Sequence, residues 1–126
     1  MFKASALTAS LTVADIHKSV AWYRDVVGFE VTQQHERDGA LRAVSLQAGD
    51  VRILLNQEDG ARGWDRVKGE GFSIQFITDQ NVDEIAARIK ASGSVIDKEP
   101  EDMPWGVRMF RMRDADGFKL VFSKPL

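Results

Sequence analysis

LTASLTVADIHKSVAWYRDVVGFEV (7–31) opens as a strand, turns into a helical pattern and closes on Gly28. FSIQFITDQNVDEIAARIKASGSVI (72–96) does the same and closes its helical pattern on Gly93. The segments that follow also match: RAVSLQAGDVRILL (42–55) corresponds to RMFRMRDADGFKLVF (108–122). Self-similarity at a nearly fixed offset marks a duplicated structural unit.

Within the first copy, a strand is expected over 6–13, with Ala9, Leu11 and Val13 on one face and Thr8, Ser10 and Thr12 on the other. Asp15 suits the N-cap of a helix that carries Ile16, Val20, Tyr23 and Val27 at helical spacing. Gly28 supplies the left-handed residue that stops it. Further strands are expected over 29–36, 41–48 and 51–57. The segment 58–71 holds four glycines among charges without periodicity and reads as the connection between copies. In the second copy, strand 72–78 precedes a helix with Val82, Ile85, Ala86 and Ile89 on one face. Strands over 94–98, 106–113 and 118–124 complete it, the last two joined by the tight-turn signal Ala115-Asp116-Gly117.

The fold class that follows is α+β: two tandem βαβββ modules, about 5–57 and 72–124, within a single domain spanning 1–126. Each helix buries its apolar stripe on one face of its sheet, which leaves the other face to solvent or to a ligand. The expected architecture is a curved, U-shaped mixed sheet with the helices outside.

Bulk properties narrow the function. Seventeen basic and nineteen acidic residues leave a net charge of −2, which argues against a general nucleic-acid binder. Cysteine is absent, so disulfides, thiolate catalysis and cysteine-held metals are excluded. No apolar run reaches the roughly 20 residues of a membrane span. The first residues lack the apolar core of a signal peptide, so a cytoplasmic location is expected.

Three segments carry a resemblance to a known family: LTVADIHKSVAWYRDVVGFEV (11–31), IAARIKASG (85–93) and PWGVRMFRMRDADGFKLVF (104–122). Together they resemble the vicinal oxygen chelate superfamily of glyoxalases, bleomycin-resistance proteins and ring-cleaving dioxygenases. The Trp-Gly-x-Arg strand before an Asp-x-Asp-Gly turn is most similar to the small single-domain bleomycin-resistance branch. The resemblance implies paired βαβββ modules around a cavity, usually a homodimer and, in many members, a divalent metal. The metal would be held by His, Gln or Glu at the opening and closing strands of each module. Those places fall on Thr8, on Arg52 or Leu54, on Ser73 (or Phe72), and on Val121. A hard cation needs several carboxylate, imidazole or carbonyl donors, and these residues do not supply them. His17 lies in the first helical turn and His35 in the polar run QQHERD, where an exposed strand-end side chain is the simpler reading.

The expectation is therefore a metal-free, cofactor-free binding protein with no catalytic residue. It would sequester a small amphipathic or aromatic molecule, as antibiotic-resistance members do. Its site would be lined by Thr8, Ser10, Leu54, Ser73, Gln75, Trp105, Met109, Arg111 and Val121. The alternative is a metal-dependent lyase, isomerase or dioxygenase with atypical ligands. Trp105 suits a pocket wall or a packing role, and Trp64 suits a lid, a dimer contact or a local anchor. Arg52 and Arg111 have the phase to meet an anionic group on the ligand, or to pair with Glu36, Glu58 or Asp65.

Overall fold

The structure is a computed structural model describing residues 1–126. Its elements are β1 (Ala9–Val13), α1 (Ile16–Ala21) continued by a π-helical segment (Trp22–Val27), β2 (Glu30–Arg37), β3 (Ala40–Ala48) and β4 (Val51–Gln57). The second set is β5 (Ile74–Ile77), α2 (Val82–Ala91), β6 (Ile96–Met103), β7 (Val107–Arg113) and β8 (Lys119–Pro125). The chain divides into two compact units, Met1–Trp64 and Asp65–Leu126. Each is one βαβββ module, and their boundary falls inside the glycine-rich connection.

In the first unit the strand order is β1-β4-β3-β2, with β1 parallel to β4 and the other pairs antiparallel. The second unit repeats it as β5-β8-β7-β6. A parallel neighbour requires a crossover, and in each unit the chain from first strand to last includes the helix.

Local chemistry fixes the helix ends. The Asp15 carboxylate accepts from the backbone N–H groups of His17 (3.1 Å) and Lys18 (3.2 Å), the expected cap. Gln57, at the end of β4, accepts from the Ile16 N–H at 2.9 Å and donates to the Ala14 carbonyl at 2.8 Å. It thereby ties the last strand of the unit to the start of α1. Asn81 caps α2 by accepting from the Glu84 N–H at 3.1 Å. Asp83 and Glu84 in its first turn, with Arg88 and Lys90 in its last, complement the helix dipole.

The periodicity of 16–27 predicts one plain α-helix, whereas the chain widens into a π-helix from Trp22. The N–H groups of Gly28 and Phe29 both reach the Tyr23 carbonyl, at 3.0 and 2.9 Å. Tyr23 is buried edge-on to both Trp22 and Phe29, with ring centroids 4.8 and 5.7 Å away. The wider turn accommodates that aromatic trio, a tertiary effect invisible to an apolar count.

Each core lies between its sheet and its helix. In the first unit Leu11, Val13, Val44, Leu46, Ile53 and Leu55 are buried on the same sheet face, with Ile16, Val20 and Tyr23 from the helical segment also buried. The second core is aromatic. Phe110 stacks on Phe122 at 4.8 Å and 11°, and Phe76 adjoins Phe122 at 5.2 Å.

Three strands, β1, β5 and β6, depart from expectation. The first strands start at Ala9 and Ile74, so Thr8 and Ser73 precede β1 and β5 instead of lying within them. Strand 94–98 was expected to be short, but β6 runs from Ile96 to Met103 through Pro100. It is an edge strand with register shifts on both sides of Lys98. A proline is tolerated there because no outer strand needs its N–H, and the charged run DKEPED concealed the pairing.

Candidate functional site

Register decides which side chains share the sheet face turned away from each helix. In the first unit one cross-strand row reads Ser10, Leu54, Ser45, Gln33. The next reads Thr12, Asn56, Ala43, His35. The Asn56 amide donates to the Ser10 hydroxyl at 2.8 Å, linking the two rows. These two rows carry no carboxylate, lysine or arginine and are rich in hydrogen-bonding groups. Arg52, also with this phase, is exposed and lies opposite Gln47.

In the second unit the corresponding rows are Gln75, Val121, Arg111, Lys98 and Ile77, Ser123, Met109, Glu101. Gln75 and Arg111 are exposed, whereas Met109, Val121 and Ser123 are only 5, 6 and 6% exposed although they face away from α2. A buried apolar centre therefore adjoins exposed polar and cationic groups on one sheet face.

The nine residues expected at the site separate as follows. Ser10 and Leu54 are direct cross-strand neighbours in the first unit, and Thr8 immediately precedes β1. Gln75, Val121 and Arg111 share one row of the second unit, with Met109 in the next row. Ser73 is exposed just before β5. Trp105 stands apart from these rows. It occupies the β6–β7 turn, closed by the Gly106 N–H bonding to the Met103 carbonyl at 3.1 Å, and it is 62% exposed. Arg52 and Arg111 make no ion pair with Glu36, Glu58 or Asp65. Trp64 is 70% exposed and lies over Gly60.

Asn56, Ser123 and Lys119 belong to the same faces and were not among the expected residues. Extending the two-residue period from Leu54 reaches Asn56, and from Val121 it reaches Ser123 and Lys119, so the signal was present. Register also relates the closing strands of the two units. Leu54 pairs with Ser10 as Val121 pairs with Gln75, which makes Leu54 the counterpart of Val121.

The four places where the family resemblance would put metal ligands thus carry Thr8, Leu54, Ser73 and Val121. Two hydroxyls and two hydrocarbons do not fit a divalent cation. Nor does any group of three or more His, Asp or Glu side chains gather elsewhere in an arrangement that could hold one.

Comparison with solved structures finds the same fold in several small bacterial proteins. A member of the glyoxalase/bleomycin resistance protein/dioxygenase superfamily from Sphaerobacter thermophilus DSM 20745 is 26% identical. It matches over 97% of this chain and 98% of its own, with a TM-score of 0.79. TioX from Micromonospora sp. ML1 is also 26% identical, over 98% of this chain and 100% of its own, with a TM-score of 0.76. TnmS3 from Streptomyces sp. CB03234, described as an antibiotic binding protein, shares the fold at 22% identity over 100 and 99% of the two chains, with a TM-score of 0.74. No curated protein matches the sequence. The model of one family covers residues 6–122, from the residues leading into β1 to the closing strand of the second repeat. Sharing that match and the duplicated βαβββ plan, the chain belongs to the Glyoxalase/Bleomycin resistance protein/Dioxygenase superfamily.

Proposed function

We propose that this protein binds a small amphipathic or aromatic molecule without a metal, holding it rather than transforming it, and that it works as a homodimer. The observation that carries the reading is the residue set Thr8, Leu54, Ser73 and Val121 at the places where metal-dependent members hold their ion. Binding needs only shape, apolar area and a few oriented polar atoms. Ser10 and Asn56 in the first unit and Gln75 and Arg111 in the second provide such atoms on their sheet faces. TnmS3, itself described as an antibiotic binding protein, makes antibiotics a sensible part of the ligand panel.

The test is a tryptophan-fluorescence titration against aromatic antibiotics and small amphipathic acids, each run with and without EDTA, followed by mass spectrometry of the recovered ligand. Saturable binding that is insensitive to EDTA, with the ligand recovered intact, is the expected result. Turnover of any panel member, or binding abolished by EDTA, contradicts the proposal. Light scattering coupled to size exclusion tests the homodimer, for which the expected mass is twice 14.1 kDa.

A further inference from the structure

The second sheet carries cationic side chains in an arrangement that sheets ordinarily avoid. Register sets Lys98 opposite Arg111 across β6–β7, and Arg113 opposite Lys119 across β7–β8. Both pairs involve the face turned away from α2. Like charges directly opposite one another are destabilising, so each needs a counter-charge.

A third such pair, Arg108 opposite Lys124, shows what compensation looks like. Arg108 donates to Asp83 at 2.7 Å and to Asp102 at 3.0 Å. On the other face, Lys98 meets Glu101 at 2.8 Å and Arg113 lies 3.6 Å from Asp97. Arg111 and Lys119 have no carboxylate partner. One member of each like-charged pair is therefore neutralised from within the protein, and the other is not.

The two uncompensated cations are neighbours. Arg111 pairs with Val121, and Lys119 lies two residues before Val121 on β8. They form a diagonal pair on one face, with α-carbons about 7–8 Å apart, close enough for an ammonium and a guanidinium to converge on one oxyanion. Arg111 is exposed, Lys119 half-buried, and the exposed Gln75 amide lies in the Arg111 row. A guanidinium matches two oxygens of a carboxylate or phosphoryl group, and a lysine adds a point charge.

We infer that Arg111 and Lys119 form an oxyanion site that takes the carboxylate or phosphoryl head of the ligand. The inference rests on the small-molecule-binding reading above and narrows it to amphipathic anions.

Calorimetric titration at fixed ionic strength tests it with benzoate and phenylphosphate, against the neutral analogues benzamide and benzyl alcohol. Wild type is compared with Arg111→Gln, Lys119→Gln and the control Arg24→Gln, which removes the same charge from an exposed site paired with Asp25. The expected result is that both site variants weaken the two anions by roughly tenfold or more, as loss of a charge-assisted contact implies. Neutral probes and the control variant should be unaffected, and the stronger of the two anions identifies the head group. A second readout concerns the free protein: Arg111→Gln relieves an uncompensated repulsion and should raise Tm at low salt. Inorganic phosphate should raise Tm of the wild type but not of Arg111→Gln. Anions that bind no better than their neutral analogues, with neutral binding retained, overturn the oxyanion site alone. If no probe binds and neither Tm change occurs, the oxyanion site fails and the broader binding reading loses support with it.

Discussion

Gly69 and Gly71 stand two residues apart in the connection, with φ of +78° and +80°, yet they answer to different constraints. A Cβ on Gly71 would meet nothing within 4 Å. On Gly69 it would lie 2.6 Å from the Gly117 carbonyl oxygen and 3.0 Å from the Phe118 α-carbon, both backbone atoms that cannot swing away. Gly71→Ala is therefore expected to cost about 1–2 kcal/mol, the penalty of a left-handed conformation alone. Gly69→Ala should cost more, roughly 2–4 kcal/mol, because strain and a backbone clash add. Urea denaturation of the two variants checks the ordering; equal losses would show that the Gly69–Gly117 approach has no energetic weight. The neighbouring turn was legible from sequence: Asp114 accepts from the N–H groups of Asp116 (3.0 Å) and Phe118 (2.9 Å), and Gly117 takes a φ of +92°. The close approach of Gly69 was not, because it joins segments nearly fifty residues apart.

Among the elements, α2 is held to the sheet by charge as well as by its apolar face. Arg108 on β7 donates through Nε and Nη2 to the two Asp83 oxygens at 2.7 and 2.9 Å, and through Nη1 to Asp102 on β6. The hydrogen bond from Arg108 holds the Asp83 carboxyl below its ordinary range. A depressed carboxyl pKa contributes stability above the unfolded-state value of about 3.9, and that stability is lost as pH falls through the folded-state pKa. Asp83→Asn should therefore lower Tm at neutral pH, with the gap to wild type closing as pH falls below about 4. Because the pair is solvent-exposed, the effect should be modest, and a gap that persists unchanged at low pH would assign Asp83 a packing or dipole role instead. Phe110, at 0% exposed and stacked on Phe122, governs the same unit more strongly. Phe110→Ala should cost about 3–5 kcal/mol in denaturant unfolding. The helices, their caps and the inward phase of each strand were readable because period and punctuation agree. The length of β6 and the π-turn at Trp22 were not, since edge pairing through Pro100 and the packing of Tyr23 are tertiary outcomes.

At the scale of the whole molecule, the duplication preserves strand order and register while the two outward sheet faces have diverged. The first has the uncharged polar residues Ser10, Thr12, Gln33, Ser45 and Asn56 in its central rows, with Arg52 and Glu30 in a flanking row. The second carries Lys98, Arg111, Arg113 and Lys119 beside the single carboxylate of Glu101 in its rows. The duplicated positions Thr8, Leu54, Ser73 and Val121 offer no carboxylate or imidazole in either half, so a metal site would need ligands from an unrelated arrangement. This is testable without knowing the ligand. A divalent ion at a hundredfold excess over its Kd stabilises the folded state by about 2.7 kcal/mol. In a chain of this size that amounts to a rise in Tm of roughly 10 °C. Thermal unfolding of EDTA-treated protein with added Mn²⁺, Ni²⁺, Zn²⁺ or Fe²⁺ should show no such rise. A shift of that size with any one ion would mean that atypical ligands hold it, and would favour a metal-dependent activity over the proposed metal-free binding. No shift with the metals, together with a phosphate-dependent shift that requires Arg111, would instead mark the second sheet as the half that takes an anionic ligand group.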